Sequence, residues 1–328
     1  MVPLADEYER RIRYIRVSVT DRCNLRCRYC MPADGVQWVS HDSIMRYEEF
    51  LRIIKAFTAR GVEKIRITGG EPLVRKGILG FIEEVKAIDS IKDLSLTTNG
   101  LLLKGFAREL IGAGINRINV SLDTLDKDKF IYITRVDALD KVLAGIESAL
   151  TEGFDPIKIN VVGIKGFNDD EISSFVKLSF DTPIEVRFIE LMPIGCANKF
   201  GFSKIMKSSE IKETIEKTFG NMELLESGLG PAQVFRLPGA KGKIGFIASL
   251  SDHTFCTRCN RIRIMANGFL RPCLLSEYQL NLLGPMREGI TDEALGDLIE
   301  QGVAKKPSSR SICSEDVGLP SLMNEIGG

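Results

Sequence analysis

The chain has 328 residues, which is enough for one large domain or two smaller ones. Its 44 basic and 44 acidic side chains give a formal net charge of zero, which argues against the global positive field of a nucleic-acid-binding protein. Residues 1–11 lack the apolar run of a signal peptide, and no stretch of about eighteen apolar residues predicts a membrane span. We therefore expect a cytoplasmic protein that binds neither nucleic acid nor a membrane.

Short β-rich runs alternate with segments of helical apolar spacing up to about residue 191. The predicted strands lie at 14–19, 64–68, 93–97, 117–122, 157–163 and 185–191. The predicted helices lie at 47–61, 77–88, 104–110, 138–153 and 169–180. Six such β-then-α units predict an α/β fold, with a parallel sheet that closes into a full or partial barrel. In such barrels the chemistry lies in the loops after the strands, so we expect the functional residues at one mouth.

The regular alternation stops after about residue 205. A further helix is predicted at 208–219, and from residue 222 onward short strands with frequent Gly and Pro replace the earlier pattern. We therefore expect two domains: a barrel domain at 1–221 and a smaller C-terminal α+β domain at 222–328.

Six of the eight cysteines fall into two groups of three, whereas Cys196 and Cys313 stand alone. The first group lies in "DRCNLRCRYC" at 21–30, just after the first predicted strand, and comprises Cys23, Cys27 and Cys30. A structural zinc site needs four ligands, whereas three thiolates on a [4Fe–4S] cluster leave one iron with an open coordination position. A zinc site with a distant fourth ligand and three unrelated buried thiols stay open as alternatives.

The second group comprises Cys256, Cys259 and Cys273, again three thiols without a fourth nearby. Cys313 could complete a zinc site here, but two groups of three suggest two clusters, each with one open iron. Arg261 and Arg263 lie between these cysteines at alternate positions of a predicted strand. Alternation places both guanidinium groups on one face, and guanidinium groups suit phosphate. No P-loop pattern is present, which argues against a phosphoryl-transferring GTPase.

The motif C-x3-C-x-aromatic-C after a first barrel strand resembles the radical S-adenosylmethionine (SAM) superfamily. The resemblance implies that the first cysteine group holds a [4Fe–4S] cluster whose open iron is chelated by SAM. "TGGEP" at 68–72 resembles the superfamily's glycine-rich SAM loop, and we expect Glu71 to accept a hydrogen bond from an ammonium group. The residues implied as cofactor contacts are Tyr29, Gly69, Gly70, Glu71, Ser121 and Met192.

Within that superfamily the chain is most similar to the GTP 3′,8-cyclase family of molybdenum cofactor biosynthesis. The segments that carry this resemblance include "RVSVTDRCNLRCRYCMP", "IRITGGEPLVR", "INVSLDTLD", "RFIELMPIG", "FCTRCNRIRI" and the terminal "IGG". One departure is "ITR" at 133–135, where relatives often read "ITG". The resemblance implies that a 5′-deoxyadenosyl radical removes H3′ of GTP and that C3′ then bonds to guanine C8.

The resemblance also implies residue roles and partners. The second cysteine group would hold a second [4Fe–4S] cluster, whose open iron binds the guanine edge. Catalytic roles would fall to the first three cysteines, Arg261, Arg263, Gly327 and Gly328, the last two as a tail that enters the active site. Contacts to GTP would come from Arg16, Arg66, Thr97, Lys158, Arg187, Arg261, Ile262 and Arg263. Implied partners are a low-potential electron donor, the downstream cyclic pyranopterin monophosphate synthase and a second copy of the chain in a homodimer. Another radical SAM enzyme with an auxiliary cluster, such as a peptide maturase, and an electron carrier are the competing hypotheses.

Overall fold

The computed structural model describes residues 3–40, 42–226, 230–309 and 322–327. Its first six strands are parallel neighbours in chain order, as the sequence predicts. They are β1 (Tyr14–Ser18), β2 (Lys64–Thr68), β3 (Asp93–Thr98), β4 (Ile118–Ser121), β5 (Ile157–Gly163) and β6 (Glu185–Glu190).

Helices connect these strands and cover the outer face of the sheet. They are α1 (Tyr47–Thr58), α2 (Ile78–Lys86), α3 (Leu103–Gly112), α4 (Lys127–Thr134), α5 (Leu139–Thr151), α6 (Ile172–Asp181) and α7 (Ser208–Phe219). Further along the chain lie α8 (Leu283–Arg287), α9 (Asp292–Ala304) and α10 (Met323–Ile326). None of the described helices is long and apolar enough to cross a membrane.

The strands after residue 222 extend the same sheet at both of its edges. They are β7 (Glu223–Leu224), β8 (Gln233–Arg236), β9 (Lys243–Ile247), β10 (Arg261–Ile264), β11 (Phe269–Arg271) and β12 (Leu280–Asn281). β9 pairs in parallel with β6, and β10 pairs in parallel with β1. The described residues thus form one twelve-stranded sheet, in the order β12-β11-β10-β1-β2-β3-β4-β5-β6-β9-β8-β7. The sheet is continuous across residue 221, and the proposed division into two domains there stays a prediction.

Strand alternation separates the apolar core from the site. On β1, Ile15 and Val17 are fully buried in the main hydrophobic cluster together with Phe50 and Ile53 of α1. Because successive side chains point to opposite faces of a strand, Tyr14 and Arg16 face the other way, into the cavity enclosed by the sheet. The outer face therefore supplies stability through apolar burial, and the inner face supplies the polar groups.

Helix α4 is not among the predicted helices. Its sequence "KDKFIYIT" ends in aromatic and β-branched residues that favour strands. The helix forms because Asp126 caps its N-terminus by accepting from the Lys129 amide at 2.8 Å, and because Phe130 and Ile133 are buried. Local propensity is therefore outweighed here by capping and tertiary packing.

Candidate functional site

The first cysteine triad occupies the loop that follows β1. Cys23, Cys27 and Cys30 are half-buried and line a common cavity. Two donors point at the Cys23 sulfur: the Leu25 amide at 3.4 Å and the Asn99 side-chain amide at 3.7 Å. Hydrogen bonds of this kind orient and stabilise a thiolate ligand.

Burial determines the protonation of these thiols. It raises the pKa of Cys23, and it raises those of Cys27 and Cys30 further, with neighbouring thiols and Asp123 adding to the effect. Without a cation the three groups therefore favour the neutral thiol, and bound iron would hold them as thiolates. Three thiols that line one cavity, with hydrogen-bond donors on one of them, fit an iron–sulfur cluster, in which each thiolate binds a different iron.

The glycine-rich loop after β2 packs directly on the cysteine loop. The Gly70 amide donates to the Thr20 carbonyl at 2.7 Å, and the Glu71 amide donates to the Arg22 carbonyl at 2.8 Å. A Cβ atom on Gly69 would lie 2.7 Å from the Thr20 oxygen, and one on Gly70 would lie 2.4 Å from the Arg22 oxygen. Both glycines line the cavity, but their missing side chains are required first by the backbone of the cysteine loop.

The position of Glu71 differs from the expectation that it faces an ammonium group. Its side chain is fully buried and is not among the described residues that line the cavity. Its carboxylate accepts from the Asn99 amide at 2.7 Å, the Thr98 hydroxyl at 2.9 Å and the Leu73 amide at 3.1 Å. Burial raises the pKa of Glu71 to about 7. The carboxylate therefore ties the loop after β3, which carries Asn99, to the loop after β2.

The second cysteine triad lines the same cavity. Cys256 and Cys259 precede β10, and Cys273 follows β11. The Arg261 guanidinium lies 3.6 Å from the Cys259 sulfur as a donor. Although burial opposes the effect, Arg261 and Lys306 lower the pKa of Cys259 to about 6. This thiol is thus prepared as a thiolate by neighbouring cations, in contrast to the first triad.

Two cations that sequence reasoning missed support this second loop. The Arg10 guanidinium donates to the Cys256 carbonyl at 2.8 Å and is paired with Asp6 at 2.6 Å. The Lys306 ammonium donates to the carbonyls of Arg261 and Pro272, each at 2.9 Å. Neither Arg10 nor Lys306 lies in a recognisable sequence motif, so only the tertiary contacts identify these two residues.

A row of arginines crosses the cavity between the two triads. Arg16 of β1 pairs in register with Arg66 of β2 on one side and with Arg263 of β10 on the other. One step earlier along the same face, Tyr14 pairs with Lys64 and Arg261. The arginines of the described chain that line the cavity are Arg16, Arg66, Arg187, Arg261 and Arg263.

Arg187 is paired with Glu185 at 2.5 Å, whereas Arg16, Arg66 and Arg263 lie beside one another. Burial lowers the pKa of Arg66 to about 10, and burial together with the neighbouring arginines lowers the pKa of Arg263 and of Arg16. A buried cluster of like charges costs free energy unless an anion joins it. The cavity therefore fits an anionic ligand.

The C-terminal tail reaches this row. The Gly327 carbonyl accepts from Arg263 at 2.8 Å and from Arg16 at 3.4 Å. Gly327 has φ +79°, and a Cβ atom there would lie 2.8 Å from the Ser18 Cβ. Gly328 and Cys313 lie outside the described residues.

Most other residues expected at the site line the cavity, namely Tyr29, Ser121, Met192 and Thr97. Two expectations differ from the structure. Lys158 is not among the described lining residues, and its ammonium group pairs with Glu185 at 3.7 Å. The Ile262 side chain is fully buried in the main hydrophobic cluster, since it alternates with Arg261 and Arg263.

Tyr14 and Asn160 are two polar residues of the cavity that the sequence motifs do not indicate. The Tyr14 hydroxyl and the Asn160 carbonyl oxygen, like the expected Thr97 hydroxyl, are buried without a hydrogen-bond partner among the described residues. Asp123, which follows β4 at the same mouth, accepts from the Tyr29 hydroxyl at 2.5 Å. Position on the inner face of a strand was the one signal that could have identified Tyr14 and Asn160.

The whole cavity has a volume of about 300 Å³. Within the described ranges, no three His, Cys, Asp or Glu side chains lie close enough together to hold a single metal ion. The cavity instead brings six thiols, five guanidinium groups and several unpartnered hydroxyl and amide groups to one mouth of the sheet.

Comparison with known proteins identifies the class of protein to which this fold belongs. The sequence profile of the Radical SAM superfamily matches residues 17–179, and that of Molybdenum Cofactor Synthesis C matches residues 184–312. The crystal structure of Streptococcus suis SuiB bound to S-adenosylmethionine superimposes with a TM-score of 0.63 at 18% identity, covering 93% of this chain and 68% of that one. The fold is thus that of a radical SAM protein, a class that uses SAM and a [4Fe–4S] cluster.

Full-length relatives define the family more closely. The GTP 3′,8-cyclase of Alkaliphilus metalliredigens is 44% identical over 99% of this chain and 100% of its own length. The GTP 3′,8-cyclase of Heliobacterium modesticaldum is 46% identical over 99% of this chain and 100% of its own length. The chain belongs to the GTP 3′,8-cyclase family.

The close approach of the two loops leads to a first prediction. Gly70→Ala places a methyl group against the Arg22 carbonyl, and we expect it to lower the free energy of unfolding by about 1–3 kcal/mol and to reduce iron retention. Gly80→Ala in α2 is the matched control, because its Cβ meets nothing within 4 Å, and it should be neutral or stabilising by up to about 1 kcal/mol. Urea unfolding and iron analysis check both variants, and equal behaviour would contradict the constraint.

The buried carboxyl of Glu71 leads to a second prediction. Its folded pKa of about 7 lies above the usual value of about 4.3, so the folded state keeps a proton that the unfolded chain has lost. The stabilisation is therefore complete below about pH 4 and is lost as the pH rises through 7, by on the order of 3 kcal/mol. We expect the stability difference between wild type and Glu71→Gln to fall over this range in urea unfolding curves. A difference that does not change with pH would refute it.

Proposed function

We propose that the chain is a GTP 3′,8-cyclase that carries out the first step of molybdenum cofactor biosynthesis. Hydrogen H3′ of the GTP ribose would pass to a 5′-deoxyadenosyl radical, which becomes 5′-deoxyadenosine, and C3′ would bond to guanine C8. One electron from the low-potential donor and one proton then complete (8S)-3′,8-cyclo-7,8-dihydroguanosine 5′-triphosphate. The observation that carries this proposal is a single cavity lined by two cysteine triads and five arginines. Membership of the GTP 3′,8-cyclase family supports the identity of the substrate.

The first triad is assigned to the cluster that works with SAM. A bound [4Fe–4S] cluster and SAM supply the electron and the adenosyl radical that start such a reaction. The residues assigned to hold SAM are Tyr29, Gly69, Gly70, Ser121 and Met192, all of which line the cavity. Glu71 is assigned a positioning role, because its carboxylate holds the loop of Asn99, which in turn donates to the Cys23 sulfur.

The second triad is assigned to a second [4Fe–4S] cluster beside the guanine base. Donor groups already surround this triad: Arg261 contacts the Cys259 sulfur, and Arg10 and Lys306 hold the backbone on either side. These cations stabilise thiolates without adding a fourth protein ligand to the described triad. One coordination position would then remain for the substrate.

The arginine row is assigned to the triphosphate. A GTP anion would compensate the buried guanidinium groups of Arg16, Arg66 and Arg263, whose pKa values are lowered in its absence. Guanidinium groups bind phosphate oxygens through paired hydrogen bonds. The Tyr14 and Thr97 hydroxyls, which are buried without a described partner, can donate to the same ligand. Fixing the triphosphate orients the ribose and base toward the two triads.

The tail is assigned to closing the active site. The Gly327 carbonyl accepts hydrogen bonds from Arg16 and Arg263, which are the side chains assigned to the triphosphate. We further propose a low-potential electron donor, a downstream cyclic pyranopterin monophosphate synthase, a cytoplasmic location and a homodimer. These follow from the family resemblance and from the chemistry of the reaction.

Anaerobic reconstitution tests the proposal. We expect about eight irons per chain, from two [4Fe–4S] clusters. With SAM, a reductant and GTP, 5′-deoxyadenosine should form in amounts tied to the GTP consumed, and mass spectrometry should detect the cyclised nucleotide. One cluster per chain, or 5′-deoxyadenosine formed equally without GTP, would favour another radical SAM reaction.

The tail contact leads to a further prediction. Deleting Gly327 and Gly328 should leave the iron content unchanged and abolish cyclisation, because the contact to the arginine row is lost. Gly327→Ala should act in the same direction, since its Cβ would meet Ser18, whereas Gly239→Ala is the matched control: it also has positive φ but nothing within 4 Å. Product formation at the wild-type rate by the truncated chain would show that the tail has no such role.

A further inference from the structure

The cysteine loop caps the C-terminus of α4. The last carbonyl groups of a helix lack partners within the helix. In α4 they accept from the cysteine loop: Ile133 from the Arg28 amide at 2.8 Å, and Thr134 from the Arg26 amide at 3.1 Å. The Arg28 side chain adds a hydrogen bond to the Tyr132 carbonyl at 2.6 Å. The end of α4 and the loop are thus one hydrogen-bonded unit.

Arg135, the residue after α4, also donates hydrogen bonds to the cysteine loop. Its guanidinium group donates to the Arg26 carbonyl and, at 3.3 Å, to the Met31 carbonyl. Arg26 immediately precedes Cys27, and Met31 immediately follows Cys30. One planar side chain therefore spans both ends of the turn that carries two of the three thiols.

The backbone at Arg135 has a left-handed conformation, which commonly ends a helix. Its φ of +63° lies in a region that glycine adopts far more readily. Among the described residues other than glycine, only Glu9 shares a positive φ. An arginine here therefore costs backbone strain, and its side chain contacts the cysteine loop.

Cys23 is held differently. Its sulfur accepts from Leu25 and Asn99, and Asn99 is in turn fixed by Glu71. The triad therefore has two supports, one from the loops after β2 and β3 and one from α4. The Arg26 side chain links them, since it donates to the Cys23 carbonyl at 2.6 Å.

We propose that in this chain Arg135 is a positioning residue, which anchors the turn that carries Cys27 and Cys30 and thereby slows loss of the first cluster. Membership of the radical SAM superfamily implies that this cluster is present. The proposal does not depend on GTP as the substrate. Removal of a residue that orients metal ligands without contacting the metal typically lowers metal affinity by about 10–100-fold.

Arg135→Gly is the decisive variant, because glycine readily adopts the same backbone conformation while the side chain and its hydrogen bonds to the cysteine loop are removed. Glu9→Gly is the matched control, since it makes the same exchange at φ +62° in a turn where the Glu9 amide donates to Asp6. Arg135→Lys keeps a cation that can reach one carbonyl. The reconstituted full-length proteins are treated with an iron chelator with and without SAM, and circular dichroism monitors folding. The release phase that SAM slows reports on the first cluster.

We expect Arg135→Gly to speed the SAM-sensitive phase by about tenfold and to weaken SAM binding, with the other phase unchanged. Arg135→Lys should lie between this variant and wild type, and Glu9→Gly should match wild type. Equal release from Arg135→Gly and Glu9→Gly would overturn the proposal. Equal acceleration of both phases would also overturn it, because that result indicates general loosening of the fold.

Discussion

The parallel pairing of β10 with β1 is the contact on which the site depends. It joins strands from opposite ends of the chain and places Arg263 beside Arg16 and Arg261 beside Tyr14. Because Cys259 lies two residues before Arg261, the same register brings the second cysteine triad to the cavity that already holds the first. The pairing also aligns like charges across neighbouring strands. That repulsion is reduced by the Gly327 carbonyl and would be relieved by an anionic substrate.

The two triads share a ligand type but differ in their surroundings. Burial holds the first three thiols toward the neutral form, whereas Arg261 and Lys306 stabilise the Cys259 thiolate. Hydrogen bonding and charge around cysteine ligands tune the properties of an iron–sulfur cluster. The Cys259 thiol thus has a more electropositive environment than the thiols of the first triad.

Much of the machinery lies outside the recognisable motifs. Glu71 belongs to a motif, and its carboxylate accepts from the Asn99 amide of the neighbouring loop. Arg10 and Arg135 belong to no motif, yet each holds the backbone of one cysteine loop. Contacts beyond the ligands themselves orient cysteine side chains for metal binding, so these two arginines can affect a cluster without contacting it.

Local sequence patterns determined the first six strands and the candidate cluster and phosphate ligands of this protein. Period-two alternation located the first six strands to within a residue or so at each end, and the spacing of the six cysteines and of Arg261 and Arg263 indicated two clusters and a phosphate site. Tertiary structure alone decided that the C-terminal strands extend both edges of one sheet, that "FIYIT" is helical, that Lys158 pairs with Glu185, and that Arg135 reaches the cysteine loop. The reason is physical: propensity and periodicity act between near neighbours, whereas register and side-chain pairing between distant segments follow from packing of the whole chain.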